Sequence, residues 1–186
     1  MSTELKDFVD EITDLHHETL NKKIETCHEI NKYSNWFLGL STAALGLLIA
    51  NYDKLIKNTW ISHEYSSPVL IIVGLMLLLS ICLGATHHHY SIKENFELRL
   101  MITCIGIQKY LFKHIDKNSK KHSYEKIQDD MFEGEYLENE KKSKFIASRK
   151  NSEKFRKAKD QLRFSQQLTA IFGYILFFIA AINKAA

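Results

Sequence analysis

Apolar and polar residues along this chain fall into long blocks rather than alternating singly. Three stretches hold no charged residue: Trp36 to Ala50 (WFLGLSTAALGLLIA), Pro68 to Thr86 (PVLIIVGLMLLLSICLGAT) and Leu168 to Ile182 (LTAIFGYILFFIAAI). With the lead-in Tyr33-Ser34-Asn35 the first extends to about 18 residues, or about 27 Å of helix, which just crosses the roughly 30 Å of a bilayer core. The second is longer and more apolar, with the proline where a first helical turn tolerates it and histidines just past its end. The third needs residues 164–167 or 183–186 to complete a span. Apolar runs of about 10–14 residues are commonly buried helices of soluble bundles, whereas runs of about 18 or more rarely are. The expectation is therefore an all-α membrane protein, with a transmembrane hairpin formed by 34–52 and 68–86 and a third, C-terminal span at 165–186. Some thirty polar residues precede the first block, so no signal peptide is expected.

The polar blocks also carry helical periodicity. Leu5, Phe8, Ile12, Leu15, Leu20, Ile24, Cys27 and Ile30 lie mostly three or four apart, predicting one amphipathic helix over 1–33 that runs into the first span. Ser2 or Thr3 can cap it. Residues 53–67 are expected to form a short loop. Beyond the second block, Ile92, Phe96, Leu100, Thr103, Ile107, Tyr110, Leu111 and Phe112 continue a helix. Asp116 to His122 (DKNSKKH) reads as a polar break, and Ser123 to Glu140 as a short helix with a bend at Gly134. Lys141 to Gln167 reads as a basic helix feeding the third span.

Composition removes other architectures. The chain has 186 residues, 45% hydrophobic and 25% charged, with seven glycines and one proline, too few for the turns of a β-sandwich or barrel. Its mean hydropathy of −0.22 resembles that of a soluble protein only because the blocks average out. Cys27, Cys82 and Cys104 are odd in number and form no Cys-x-x-Cys pair, so neither a disulfide framework nor a zinc ribbon is indicated.

Charge sets the expected sidedness. Residues 87–164 carry eighteen Lys and Arg, against four in 1–33, two in 51–67 and only Lys184 beyond the third block. Positively charged loops stay in the cytoplasm, which puts 87–164 and the N-terminus inside and 53–67 outside. The two cytoplasmic parts have opposite balances, −4 for 1–33 and +6 for 87–164, favouring antiparallel packing into a helical bundle. Exposed ion pairs add only about 0.2–1 kcal/mol each, so the hydrophobic stripes must supply most of its stability.

Within a bilayer, small residues rather than hydrophobicity bring helices together. Gly39, Ala43, Gly46 and Ala50 form such a stripe in the first span, with Ser80 and Gly84 in the second and Thr169 and Gly173 in the third. They suit packing within a hairpin or between copies of the chain.

Catalytic signatures are absent: the chain has no glycine-rich phosphate loop, Gly-x-Ser-x-Gly or His-Glu-x-x-His. The expectation is a non-enzyme without cofactor or metal. Consecutive helical positions diverge by about 100°, so His87, His88 and His89 cannot converge on one ion and suit an interfacial anchor instead. The spans hold no ionisable relay of the kind a proton-coupled transporter needs. The basic run Lys141 to Arg163 can lie against anionic headgroups, at about 1 kcal/mol per residue. Alternatively Arg149, Lys150, Arg156 and Lys157 bind a phosphate-bearing ligand such as a second messenger, or a partner protein; specific nucleic-acid recognition is not expected.

Taken together, the amphipathic 1–33 helix, WFLGLSTAALGLLIA, PVLIIVGLMLLLSICLGAT and the helical segment after His89 resemble the SLATT-type and related small transmembrane effectors of bacterial antiviral defence. The resemblance implies an oligomeric inner-membrane protein encoded beside nucleotide-signalling or reverse-transcriptase modules. Once a cytoplasmic sensor or second messenger triggers it, such a protein disrupts the bilayer. The third block extends the two-span pattern. The alternative reading is a non-conducting tether or accessory subunit of a larger complex.

Overall fold

The computed structural model describes residues 3–58, 63–115 and 124–181. Five helices account for nearly all of them: α1 (Thr3–Ala50), α2 (Tyr52–Asn58), α3 (His63–Ile115), α4 (Tyr124–Glu133) and α5 (Asn139–Ala181). The protein is all-α, and no strand occurs among the described residues. Three helices, α1, α3 and α5, are long and apolar enough to cross a membrane. The expected break at Asp116 to His122, Ser2 as a cap and the extension over 183–186 lie outside the described residues.

The chain divides into two units, to both of which α1, α3 and α5 contribute. Unit 1 comprises Met1–His28 and Ser91–Arg156, and unit 2 comprises Glu29–Tyr90 and Lys157–Ala186.

Unit 1 has a conventional apolar interior. Leu20, Leu98, Met101, Ile105, Leu137 and Phe145 form one buried cluster, and Val9, Phe112, Ile127 and Met131 form another. The buried face is rotated from the predicted one: Leu15, Ile92, Phe96 and Tyr110 are exposed, while Val9, Thr13, Ser91 and Glu94 are buried. Fully buried Thr13 donates to the Val9 carbonyl, which lets a hydroxyl sit on the inner face without an orphaned donor. Among the described residues, charge contacts from α1 to the basic helices centre on Lys109, whose Nζ lies 2.9 Å from Asp10 and 3.5 Å from Asp14. Most other pairs are local to a helix, such as Glu18 with Lys22, so burial dominates, as the small worth of exposed pairs requires.

Between α4 and α5 the chain turns at Gly134. The short helix ends at Glu133 rather than at Glu140, because Gly134 takes a φ of +77° and closes it. Gly134 N donates to Met131 O (3.3 Å) and Glu135 N to Asp130 O (2.8 Å), the two bonds of a Schellman cap. A Cβ here would also stand 3.1 Å from Phe145 Cδ1. Gly134→Ala is expected to destabilise the fold by about 1–2 kcal/mol, from the left-handed backbone alone. Thermal or denaturant unfolding of the variant measures it, and an unchanged midpoint would contradict this account of the turn.

Unit 2 reverses the usual polarity. Its apolar cluster of Leu48, Leu70, Val73, Leu77 and Ala180 is accompanied by buried Ser34, Ser41, Ser80 and Gln166, while Leu47, Leu75, Leu79, Phe172, Ile175 and Phe178 are exposed. Ser34 Oγ donates to Gln166 Oε1 (2.6 Å), and Gln166 Nε2 donates back to the Ser34 carbonyl (3.1 Å). Ser41 and Ser80 hydroxyls meet at 3.1 Å, and Ser80 Oγ donates to Gln166 O (3.4 Å). Hydroxyl and amide bonds between close helices are what holds helices together where hydrophobicity cannot.

The segment expected as a loop over 53–67 is largely helical. Asn51 interrupts α1 for one residue, but the i to i+4 bonds Asn51 N to Leu47 O and Leu55 N to Asn51 O carry the backbone onward into α2. Asp53 and Lys57 sit at the dipole-complementary ends of α2, and Tyr52 Oη lies 2.9 Å from Ser67 Oγ. Helix α3 begins at His63, before Pro68, whose missing N–H removes one rung near the helix's free end, where the loss is smallest.

Candidate ligand-binding site

Three helices of unit 1 and the end of α4 line a cavity of about 200 Å³ that opens to solvent on one side. From α1 come His16, Thr19, Leu20 and Lys23, which fall within two turns of one face. From α3 come Glu94, Leu98, Met101 and Ile105, at spacings of four, three and four, so one continuous stripe of that helix is presented. Helix α5 supplies Phe145, Arg149, Ser152 and Arg156 at spacings of four, three and four, together with exposed Glu153, and α4 supplies Met131 and Phe132.

Of the four cations singled out by sequence, Arg149 and Arg156 line the cavity and Lys150 and Lys157 do not. Arg149 and Arg156 are seven residues apart and share a helix face, whereas each lysine follows its arginine by one position and is rotated about 100° away. The Arg149 guanidinium lies over the Phe132 ring, 4.1 Å from its centroid, and 3.6 Å from the Glu133 carboxylate. His16 stacks tilted on the same ring at 5.8 Å. Burial, and then His17 beside it, lowers the His16 pKa.

Sequence reasoning missed the buried polar groups here. Cys27 Sγ lies 3.0 Å from Ser91 Oγ and donates to Glu94 Oε2 at 3.6 Å, a carboxylate buried in the lining. Cys27 lies on the apolar stripe read from the sequence, but Glu94 does not, because that reading turned Ile92 and Phe96 inward. Cys104 is also buried, which pushes its thiol pKa up, with Lys141 pulling the other way. Lysine 159, in unit 2, is the buried cation of the basic run, at 2% exposure.

The small-residue positions divide between two fates. Ser80, Gly84 and Gly173 pack inside unit 2, Gly84 against Gln166 and Leu38, and Gly173 against Leu77 and Met76. Thr169 donates to carbonyls of its own helix. Gly39, Ala43, Gly46 and Ala50 are exposed, and no atom comes within 4 Å of a Cβ placed on Gly39 or Gly46. Among the described residues the stripe of α1 therefore meets no neighbour; the Ser41, Ala44 and Leu48 face does. The three histidines diverge as expected, with His87 buried and His88 and His89 exposed. Among the described residues no group of three His, Cys, Asp or Glu could hold a metal ion.

Comparison with family models, curated proteins and solved structures finds no match for this chain.

Proposed function

We propose that this protein is an oligomeric inner-membrane effector, with its N-terminus in the cytoplasm, that permeabilises the bilayer when unit 1 is triggered. The observation that carries the reading is the inverted polarity of unit 2, where serine and glutamine hydroxyls and amides are inside and leucine, isoleucine and phenylalanine are outside. An aqueous protein rarely exposes so contiguous an apolar surface, and lipid is the solvent that such a surface fits. The excess of lysine and arginine in 87–164 supports the sidedness. The open face of Gly39, Ala43, Gly46 and Ala50 has the composition of a helix contact and is left for a second copy in this reading. A trigger acts by binding one arrangement of unit 1 more tightly than another and so shifting a population. The resemblance of the sequence to SLATT-type effectors motivates a role in antiviral defence.

Reconstitution into liposomes loaded with a self-quenched dye tests this. Dye release that depends on the protein is expected. No release in the presence of any tested activator, together with copurification of one stoichiometric partner, would replace the effector with a membrane tether.

A further inference from the structure

We propose that the unit 1 cavity binds a single-chain amphiphile with an anionic head, a fatty acid or a lysophosphatidate. This deepens the effector reading by naming the chemical class of its trigger, and as a trigger it rests on that reading.

The first argument is shape. Lining residues run from Glu94 to Ile105 on α3 and from Phe145 to Arg156 on α5, twelve positions on each and so about 16 Å of helix from first to last. The two helices run antiparallel, with Asn151 Nδ2 donating to Glu97 Oε1 (3.1 Å) and Lys93 Nζ 5.8 Å from the Phe155 ring centroid. Ile105 and Phe145 therefore share one end of the cavity, and Glu94 and Arg156 the other. Helix α1 follows the same register, with Cys27 at Glu94 and His17 Nε2 3.3 Å from Ile102 O, which brings Lys23 toward the Glu94 end. A volume of about 200 Å³ spread over that length is narrow, and it is below the roughly 300–1,000 Å³ of ordinary small-molecule sites. An extended chain suits that length and volume.

The second argument is chemistry. Met101, Ile105, Met131 and Phe145 make the far end, all buried, with the thioethers able to adapt to a flexible tail. The lining hydroxyls donate within their own helix, Thr19 Oγ1 to the Leu15 carbonyl (2.8 Å) and Ser152 Oγ to the Arg149 carbonyl (2.9 Å), so neither O–H is turned toward the cavity. Lys23 and Arg156 are exposed on opposite helices at the charged end and make no ion pair among the described residues. With Arg149 they set three cations against the Glu94 and Glu153 carboxylates of the lining, and the surplus favours a carboxylate or phosphate head. Buried Glu94 repels that same head, so the tail enters and the head stays at the opening.

Photolabelling of the full-length protein in lipid nanodiscs, with decanoic acid carrying a diazirine near its methyl end, tests the site. Adducts mapped by mass spectrometry are expected on Met101, Ile105, Met131 or Phe145, suppressed by excess decanoate or lysophosphatidate but not by decanol or decyltrimethylammonium. Whichever acid suppresses at lower concentration identifies the head group. Lys23→Glu with Arg156→Glu should lower labelling about tenfold, and Leu98→Trp, which fills the cavity, should abolish it. If Leu98→Trp does not fold, the head-group comparison on the unaltered protein still decides. Adducts confined to the three apolar blocks, or suppression by decanol equal to that by decanoate, would overturn the proposal. Cavity labelling without dye release leaves the site standing and removes the effector reading, while release without cavity adducts does the reverse.

Discussion

Leucine in place of Gly84 will separate α5 from α3 within unit 2. Gly84 is buried, and a Cβ on it would overlap the amide nitrogen of Gln166 and stand 3.0 Å from Leu38 Cδ1. The glutamine cannot simply retreat, because both ends of its amide are engaged by Ser34, through the hydroxyl at 2.6 Å and the carbonyl at 3.1 Å. Moving it leaves four polar atoms to find new partners in an apolar setting. Overpacking of this kind costs about 1–3 kcal/mol before the lost hydrogen bonds are added. The detergent-solubilised variant should show a sharply lower melting point and faster proteolysis of α5. Gly46→Leu provides the contrast, since nothing lies within 4 Å of its Cβ position. There the fold should hold, and Gly46→Ala should gain up to about 1 kcal/mol of helix propensity. Equal losses at Gly84 and Gly46 would mean that the packing face of the spans has been wrongly assigned.

Arginine at both Leu75 and Leu79 will strip the protein from membranes. Leu75 is 60% exposed and Leu79 49%, four residues apart on the outer face of α3 near the middle of its apolar block. Near the centre of a bilayer each arginine costs about 3 kcal/mol on the insertion scale, and losing each leucine adds a few tenths more. On the surface of a water-soluble bundle the same changes would be nearly neutral, within about 0.5 kcal/mol each. The two settings thus predict different outcomes for one variant. Retention in the membrane pellet after alkaline washing should be high for the unaltered chain and low for Leu75→Arg with Leu79→Arg. Unchanged retention, or an unaltered chain that disperses in plain buffer, would dismiss lipid as the solvent of unit 2.

Helix existence was legible because it depends on local pattern. The run from Leu5 to the first apolar block has no proline and no glycine before Gly39, and α1 is continuous over it. Gly134 marked its turn because few other residues tolerate a positive φ there. Face assignment was harder. Gly39 and Gly46 look like contact residues by size alone, yet the neighbouring face has Ser41, whose hydroxyl finds Ser80, and that pairing is visible only once both helices are placed. Gln166 falls in a polar lead-in to the third block, where nothing local distinguishes it from exposed Ser165. The cavity joins residues from four helices, from His16 to Arg156, so no window of sequence contains it. Only its α5 stripe was within reach, and there adjacent lysines obscured the seven-residue repeat of Arg149 and Arg156.

The reciprocal Ser34–Gln166 contact also governs sliding. A helix free to creep along an apolar neighbour by one turn, about 5.4 Å, loses little dispersion energy, because one row of leucines resembles the next. Here such a shift would strand an amide and a hydroxyl, because the buried residue one turn further along α5 is Ala170. Axial alignment of α1 and α5 is thereby discrete, and intermediate alignments are disfavoured, as a single polar residue achieves in the seam of a coiled coil.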